Sequence, residues 1–189
     1  RFAIPNFRLD KTLIDDEIAV LKELGVEFKT GVMFGKDITV DSLKAEGYAS
    51  VFMGVGAQAG RLPGVPGEDA KGVFNAVDFL KDVNMGKASA ISGNAVVIGG
   101  GFTAMDAARS AKRLGAEKVY IVYRRSMEEL PARREEVEHA EEEGIEFRLL
   151  CNPTEIVGYN NPEDPRDPKN GFVTGIKCVK MELGEPDAK

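Results

Sequence analysis

Between residues 95 and 115 a short β-branched run, Val96-Val97-Ile98, meets Gly99-Gly100-Gly101 and then Phe102-Thr103-Ala104, the start of an alanine-rich stretch that reaches Leu114 and stops at Gly115. No other feature limits the fold so strongly. The pattern G-x-G-x-x-A lies directly between a predicted strand and a predicted helix, the setting in which it reads as a dinucleotide-binding turn. Each small residue has a physical reason. Gly99 permits the tight turn, Gly101 lets the backbone approach a pyrophosphate with no Cβ in the way, and Ala104 lets the helix pack close to the strand. The helix start then offers unpaired N–H groups and partial positive charge to the phosphates.

The following residues repeat the alternation. Lys118–Tyr123 predicts a strand, about Pro131 to Glu143 a strongly charged helix ending at Gly144, and Ile145–Leu150 a third strand. Such alternation builds a parallel sheet, expected here to carry helices on both faces. Thr154–Val157 and Phe172–Leu183 read as added antiparallel strands around a polar loop, Tyr159–Asn170, expected to be mobile. Cofactor choice is read at the end of the second strand, where an NAD site places a carboxylate and an NADP site a cation for the 2′-phosphate. Here that strand ends in Tyr123-Arg124-Arg125-Ser126, whereas Glu117 precedes it and should lie at its far end. Arg124 and Arg125 therefore point to NADPH.

The first part of the chain is less regular. Lys11–Leu24 has helical spacing, Val26–Thr30 alternates like a strand, Val40–Glu46 reads as a short helix, and Tyr48–Val55 reads as a buried strand running into Gly54-Val55-Gly56-Ala57. The Pro- and Gly-rich stretch Arg61–Glu68 is the linker candidate, dividing residues 1–60 from residues 61–189. An echo joins the two parts: Leu21–Lys29 resembles Glu141–Arg148, each a helix, a glycine and a strand, so that a first dinucleotide unit would have its glycine loop before Arg1. The net charge of −6 argues against nucleic acid, and no apolar stretch is long enough for a membrane span. Cys151 and Cys178, with His139 the lone histidine, give no metal pattern and suit a reducing, cytoplasmic setting. His139 lies in an acidic run away from the glycine loop, and Asp106 reads as a carboxylate favoured by the helix N-terminus. Neither reads as catalytic.

Residues Gly99–Arg109, Val122–Ser126, Leu130–Arg133 and Glu135–Ala140 resemble the glutamate synthase small (beta) subunit family, related to dihydropyrimidine dehydrogenase and to flavin-based NADPH–ferredoxin transhydrogenases. Ile4–Leu9, Gly35–Thr39, Pro63–Glu68 and Lys180–Asp187 extend the likeness over nearly the whole length. The resemblance implies an FAD domain with an inserted NADPH domain, the last strand of which would lie beyond Lys189, an iron–sulfur segment elsewhere in the parent, and a second electron-transfer subunit as a partner. It implies that Gly56 marks the point where the FAD domain hands over to the NADPH domain, and that the fragment alone holds little FAD. Phe102 departs from the family's usual Asn, which alters a polar contact near the cofactor. Spacing in the related adrenodoxin reductase-like enzymes marks Glu136 as a ribose or carboxamide contact, against the plainer reading of a solvated surface glutamate.

The function expected is hydride transfer between NADP(H) and FAD, with no catalytic acid, base or nucleophile from this chain. A free-standing dehydrogenase would need a proton-transfer residue that no stretch supplies. A non-catalytic dinucleotide-sensing module is the alternative.

Overall fold

The computed structural model describes residues 2–57 and 59–185; the chain ends at Arg1 and Lys189, and the final two residues of the family-like segment Lys180–Asp187, lie outside the described residues. The chain forms two compact units, Leu9–Gln58 and a larger one that joins Phe2–Arg8 to Ala59–Lys189.

The smaller unit holds α1 (Lys11–Glu23) and α2 (Val40–Ala45). Asp10 caps α1 by accepting from the Thr12 N–H, and Thr39 with Ser42 forms a reciprocal capping box on α2. Neither helix has a buried residue. The expected strands Val26–Thr30 and Tyr48–Val55 are not strands here. Among the described residues no strand pairs with them, and Phe52 is 95% exposed. Apolar alternation makes a strand only where a ladder partner takes its backbone groups.

The larger unit carries α3 (Ala76–Asn84), β1 (Ala95–Ile98), α4 (Phe102–Arg113), β2 (Val119–Tyr123), α5 (Arg134–Glu142), β3 (Ile145–Leu149), β4 (Cys151–Gly158) and β5 (Val173–Lys180). Strands β1, β2 and β3 form a parallel sheet in that order, with Ile98 opposite Val122 and Val122 opposite Arg148. Because successive right-handed crossovers step the same way across the sheet, α4 and α5 fall on one face. Met105, Ala108 and Ala111 of α4 and Val137 and Ala140 of α5 pack there with Val119, Ile121 and Ile145. The alanines let backbone approach backbone.

The expectation of helices on both faces is corrected. The opposite face, with Val96, Tyr120, Val122 and Arg148, looks across an apolar groove at Cys151, Ile176 and Cys178 of the antiparallel β4–β5 ribbon. The helix α3, unanticipated from sequence, is capped by Asn75 and buries Leu80. The loop after β4 carries hydrogen bonds of its own. Asp167 accepts from Tyr159 and Asn161, Asn170 accepts from the Asn161 N–H, and the Lys71 ammonium donates to the Asn170 carbonyl. Among the described residues no helix is long and apolar enough to cross a membrane.

Candidate dinucleotide site

The carboxyl ends of parallel strands form the crevice where open α/β sheets bind ligands. At that edge β1 runs into Gly99, whose N–H continues the ladder to the Val122 carbonyl at 3.0 Å. Gly99 takes φ +129, a conformation that suits only glycine. Gly100 answers to packing: a Cβ there would stand 2.4 Å from Leu130 Cδ2 and 2.9 Å from the Tyr123 ring. The Gly100 carbonyl accepts from Ala132 N–H, which ties the loop to the segment before α5.

Gly101 is different. Its backbone, φ −89 and ψ 179, is open to any residue, and an added Cβ would meet nothing within 4 Å. The fold itself makes no demand for glycine there, whereas a ligand lying against the backbone would. Gly101 is also the N-cap of α4 and offers no side-chain hydrogen bond, so the first N–H groups of the helix lack the usual cap. Thr103 is exposed, Phe102 is 40% exposed and Ala104 is buried.

Arg124 and Arg125 follow β2 at the same edge, and both are exposed. Among the described residues neither is in an ion pair, although Arg125 is near enough to Glu129 to help hold that carboxyl below its ordinary range, mainly the work of a hydrogen bond from Ser126. The turn is firmly built: Glu129 accepts from both the hydroxyl and the N–H of Ser126, and Tyr123 donates to the Glu129 carbonyl. Leu150, left-handed at φ 53, donates its N–H to the Arg125 carbonyl at 3.1 Å. A non-glycine residue in that region costs about 1–2 kcal/mol, which the pinning of the Arg125 backbone helps to offset. Glu117 lies at the other end of β2, bonded to the Gly93 carbonyl, as the sequence suggested.

Behind the loop lies a charge network that the sequence reading missed. Arg8 places Nε 2.6 Å from Asp106 Oδ1 and Nη2 2.6 Å from Glu136 Oε2. Arg109 stands 3.6 Å from Glu136 and, with Arg113, grips Glu143 at 2.8 Å. Phe7 covers the Arg109 and Arg113 guanidinium groups, at 4.4 and 4.2 Å, and Arg8 and Arg133 lie over the Phe102 ring at 5.3 and 6.0 Å. Asp106 is therefore not a helix N-terminal carboxylate: it sits in the second turn of α4, is buried, and is paired with Arg8. Burial pushes its carboxyl up to about 6, against the pull of Arg8 and with the help of Glu136. Hydrogen bonds from Arg113 and then Arg109 hold Glu143 below the usual carboxylate range. Glu136 is likewise an ion-paired residue and not a solvated one. His139 is exposed on α5, and Gly56 belongs to the smaller unit, where it takes φ +69.

The family model for pyridine nucleotide-disulphide oxidoreductases matches residues 14–175. NADP(+)-dependent formate dehydrogenase subunit beta of Moorella thermoacetica is 41% identical over 97% of this chain and 25% of its own length. The glutamate synthase [NADPH] small chain of Escherichia coli strain K12 is 37% identical over 100% of this chain and 40% of its own. The chain thus spans between a quarter and two-fifths of these relatives. Among solved structures, FprA of Mycobacterium tuberculosis in complex with NADPH superposes with a TM-score of 0.68 at 19% identity, covering 97% of this chain and 59% of that one. Its likeness extends to the fold: an α/β architecture of Rossmann-like type with added antiparallel strands.

Proposed function

This chain belongs to the pyridine nucleotide-disulphide oxidoreductase family, and from that premise we propose that it is the NADPH-reading part of a flavin-dependent oxidoreductase. The observation that carries the reading is the open space over Gly101 at an uncapped helix start. The backbone of Gly99, Gly100, Gly101, Phe102, Thr103 and Ala104 receives the pyrophosphate, where the α4 N-terminus favours negative charge. Arg124 and Arg125 receive the 2′-phosphate, and Glu136, steadied by Arg8 and Arg109, faces the ribose or carboxamide side. When bound, the nicotinamide supplies the hydride exchanged with a flavin, chemistry that belongs to the cofactors.

We assign residues 1–60, with Gly56, to the flavin-binding domain of the parent and residues 61–189 to the NADP domain, with the Phe2–Arg8 segment packing as part of the latter unit. The relatives' names, a beta subunit and a small chain, support work within a larger assembly, and we propose that this assembly includes a second electron-transfer subunit and an iron–sulfur segment. The free cysteines Cys151 and Cys178 accord with a reducing compartment, and we place the protein in the cytoplasm.

Calorimetric titration with NADPH and NADH tests the reading. Charge-assisted hydrogen bonds contribute roughly 1.5–3 kcal/mol each. Replacing both Arg124 and Arg125 by alanine is therefore expected to weaken NADPH at least tenfold, to leave NADH within a few-fold, and to abolish the salt dependence of the preference. Equal losses for both nucleotides, or an unaltered chain that prefers NADH, would show that the arginines do not read the phosphate.

A further inference from the structure

Asp106 and Glu136 place two carboxylates close behind a loop proposed to hold a pyrophosphate, an arrangement that opposes anion binding unless a cation intervenes. That cation comes from outside the strand–helix repeat. Arg8 belongs to the segment Phe2–Arg8, which joins the larger unit. Its guanidinium bridges both carboxylates at 2.6 Å and lies over the ring of Phe102, the residue that follows Gly101. We propose that Arg8 is a positioning residue of the dinucleotide site, countering the charge of Asp106 and Glu136 and steadying Phe102 so that the glycine loop accepts the cofactor's phosphates.

The proposal rests on the dinucleotide reading above and deepens it. Asp106 lies in the second turn of α4, so at a rise of 1.5 Å per residue its charge is only about 6–8 Å from the helix start. Arg109 cannot replace Arg8 there: it stands 3.6 Å from Glu136, its other ion pair is with Glu143, and the Phe7 ring covers its guanidinium. The groups acting on Asp106 are Arg8, Glu136 on α5 and Arg109 on its own helix, while Asp78, Lys81 and Asp82 of α3 are exposed to solvent. Loss of Arg8 removes the chief attraction that keeps Asp106 ionised, so Asp106 takes up a proton at a higher pH than before. A planar guanidinium spanning two carboxylates also suits Arg and not Lys.

The experiment is NADPH titration of the full 189-residue chain across pH 5 to 8, with Arg8→Ala, Asp106→Asn and the double variant, each checked for native circular dichroism. Arg8→Ala is expected to weaken NADPH tenfold or more at pH 8 and threefold or less at pH 5, where Asp106 is protonated. The double variant should regain affinity at pH 8 to within about threefold. A loss independent of pH, or one that Asp106→Asn does not repair, would mean that Arg8 acts only through folding and would overturn the proposal. Unchanged affinity in Arg8→Ala would do the same. If the unaltered chain binds no nucleotide at any pH, the dinucleotide reading itself fails and takes this proposal with it.

Discussion

Substituting Ala at Gly101 and, separately, at Gly100 distinguishes a glycine needed by a ligand from one needed by the fold. At Gly101 the new Cβ meets nothing within 4 Å, and φ −89 suits any residue. Two small terms then compete. Restricting the unfolded chain stabilises by about 0.4–1 kcal/mol, and an alanine N-cap in place of glycine costs up to about 1 kcal/mol. The net change is near zero, and the melting temperature should move by less than about 4 °C. At Gly100 the Cβ would fall 2.4 Å from Leu130 Cδ2 and 2.9 Å from the Tyr123 ring, so side chains must shift. Overpacking of that kind costs about 1–3 kcal/mol, which lowers the melting temperature by roughly 2–12 °C.

Nucleotide binding should invert that order of severity. A methyl at Gly101 stands where the pyrophosphate would approach the backbone, and the loss of two charge-assisted hydrogen bonds, about 3 kcal/mol or more, weakens NADPH and NADH alike by a hundredfold or more. Differential scanning fluorimetry with calorimetric titration measures both quantities. If Gly101→Ala binds NADPH within a few-fold of the unaltered chain, the open space over Gly101 is not a phosphate cradle. If it melts as low as Gly100→Ala, the steric reasoning is wrong.

Two further outcomes follow from burial. Asp106 titrates near 6, above its ordinary 3.8, so the folded chain holds that proton more tightly than the unfolded one. The sign is that of a raised carboxyl: a penalty is present above pH 6 and disappears as pH falls toward 4. Asp106→Asn should therefore be more stable than the unaltered chain at pH 7 and equal to it at pH 4 in urea melts. A constant difference across that range would contradict the assignment. Phe52, 95% exposed, should accept Ser with less than about 0.5 kcal/mol lost in urea melts. A loss of 2 kcal/mol or more would place the ring in a core.

The strand–glycine–helix unit was legible because its signals are local and agree with one another. A β-branched run predicts β1, the glycines predict the turn, and Ala104, Ala107, Ala108 and Ala111 predict a helix packed closely on the sheet. Arg124 and Arg125 stand directly after β2, where the sequence placed them. The smaller unit misled because the apolar pattern of Tyr48–Val55 reports what a strand could bury and not whether a partner is present. Gly100 read from sequence only as part of the cofactor loop; its packing role was hidden, since its neighbours Leu130 and Tyr123 reach it only through the fold. The helix α3 did leave a trace, Asn75 as a cap with Val77 and Leu80 three residues apart.

The charge network had a signal of its own, though no single residue carried it. Asp106, Arg109 and Arg113 fall on one stripe of α4, spaced three and four apart, and Glu136 and Glu143 are two turns apart on the rim of α5. Once consecutive strands are known to be adjacent and parallel, the two helices must share a face of the sheet, so complementary stripes on them can meet. The pairs Arg109–Glu136 and Arg109–Glu143 could have been read from that step. Arg8 could not. It enters from a segment with no regular pattern, and its place follows only from the charge left over: without it, the buried Asp106 faces Glu136 with only Arg109 nearby, and Arg109 is also paired with Glu143. A buried carboxylate unmatched on its own stripe is thus a reason to look elsewhere in the chain for an arginine, and the Phe7–Arg8 pair supplies both that cation and a ring to cover the neighbouring ones.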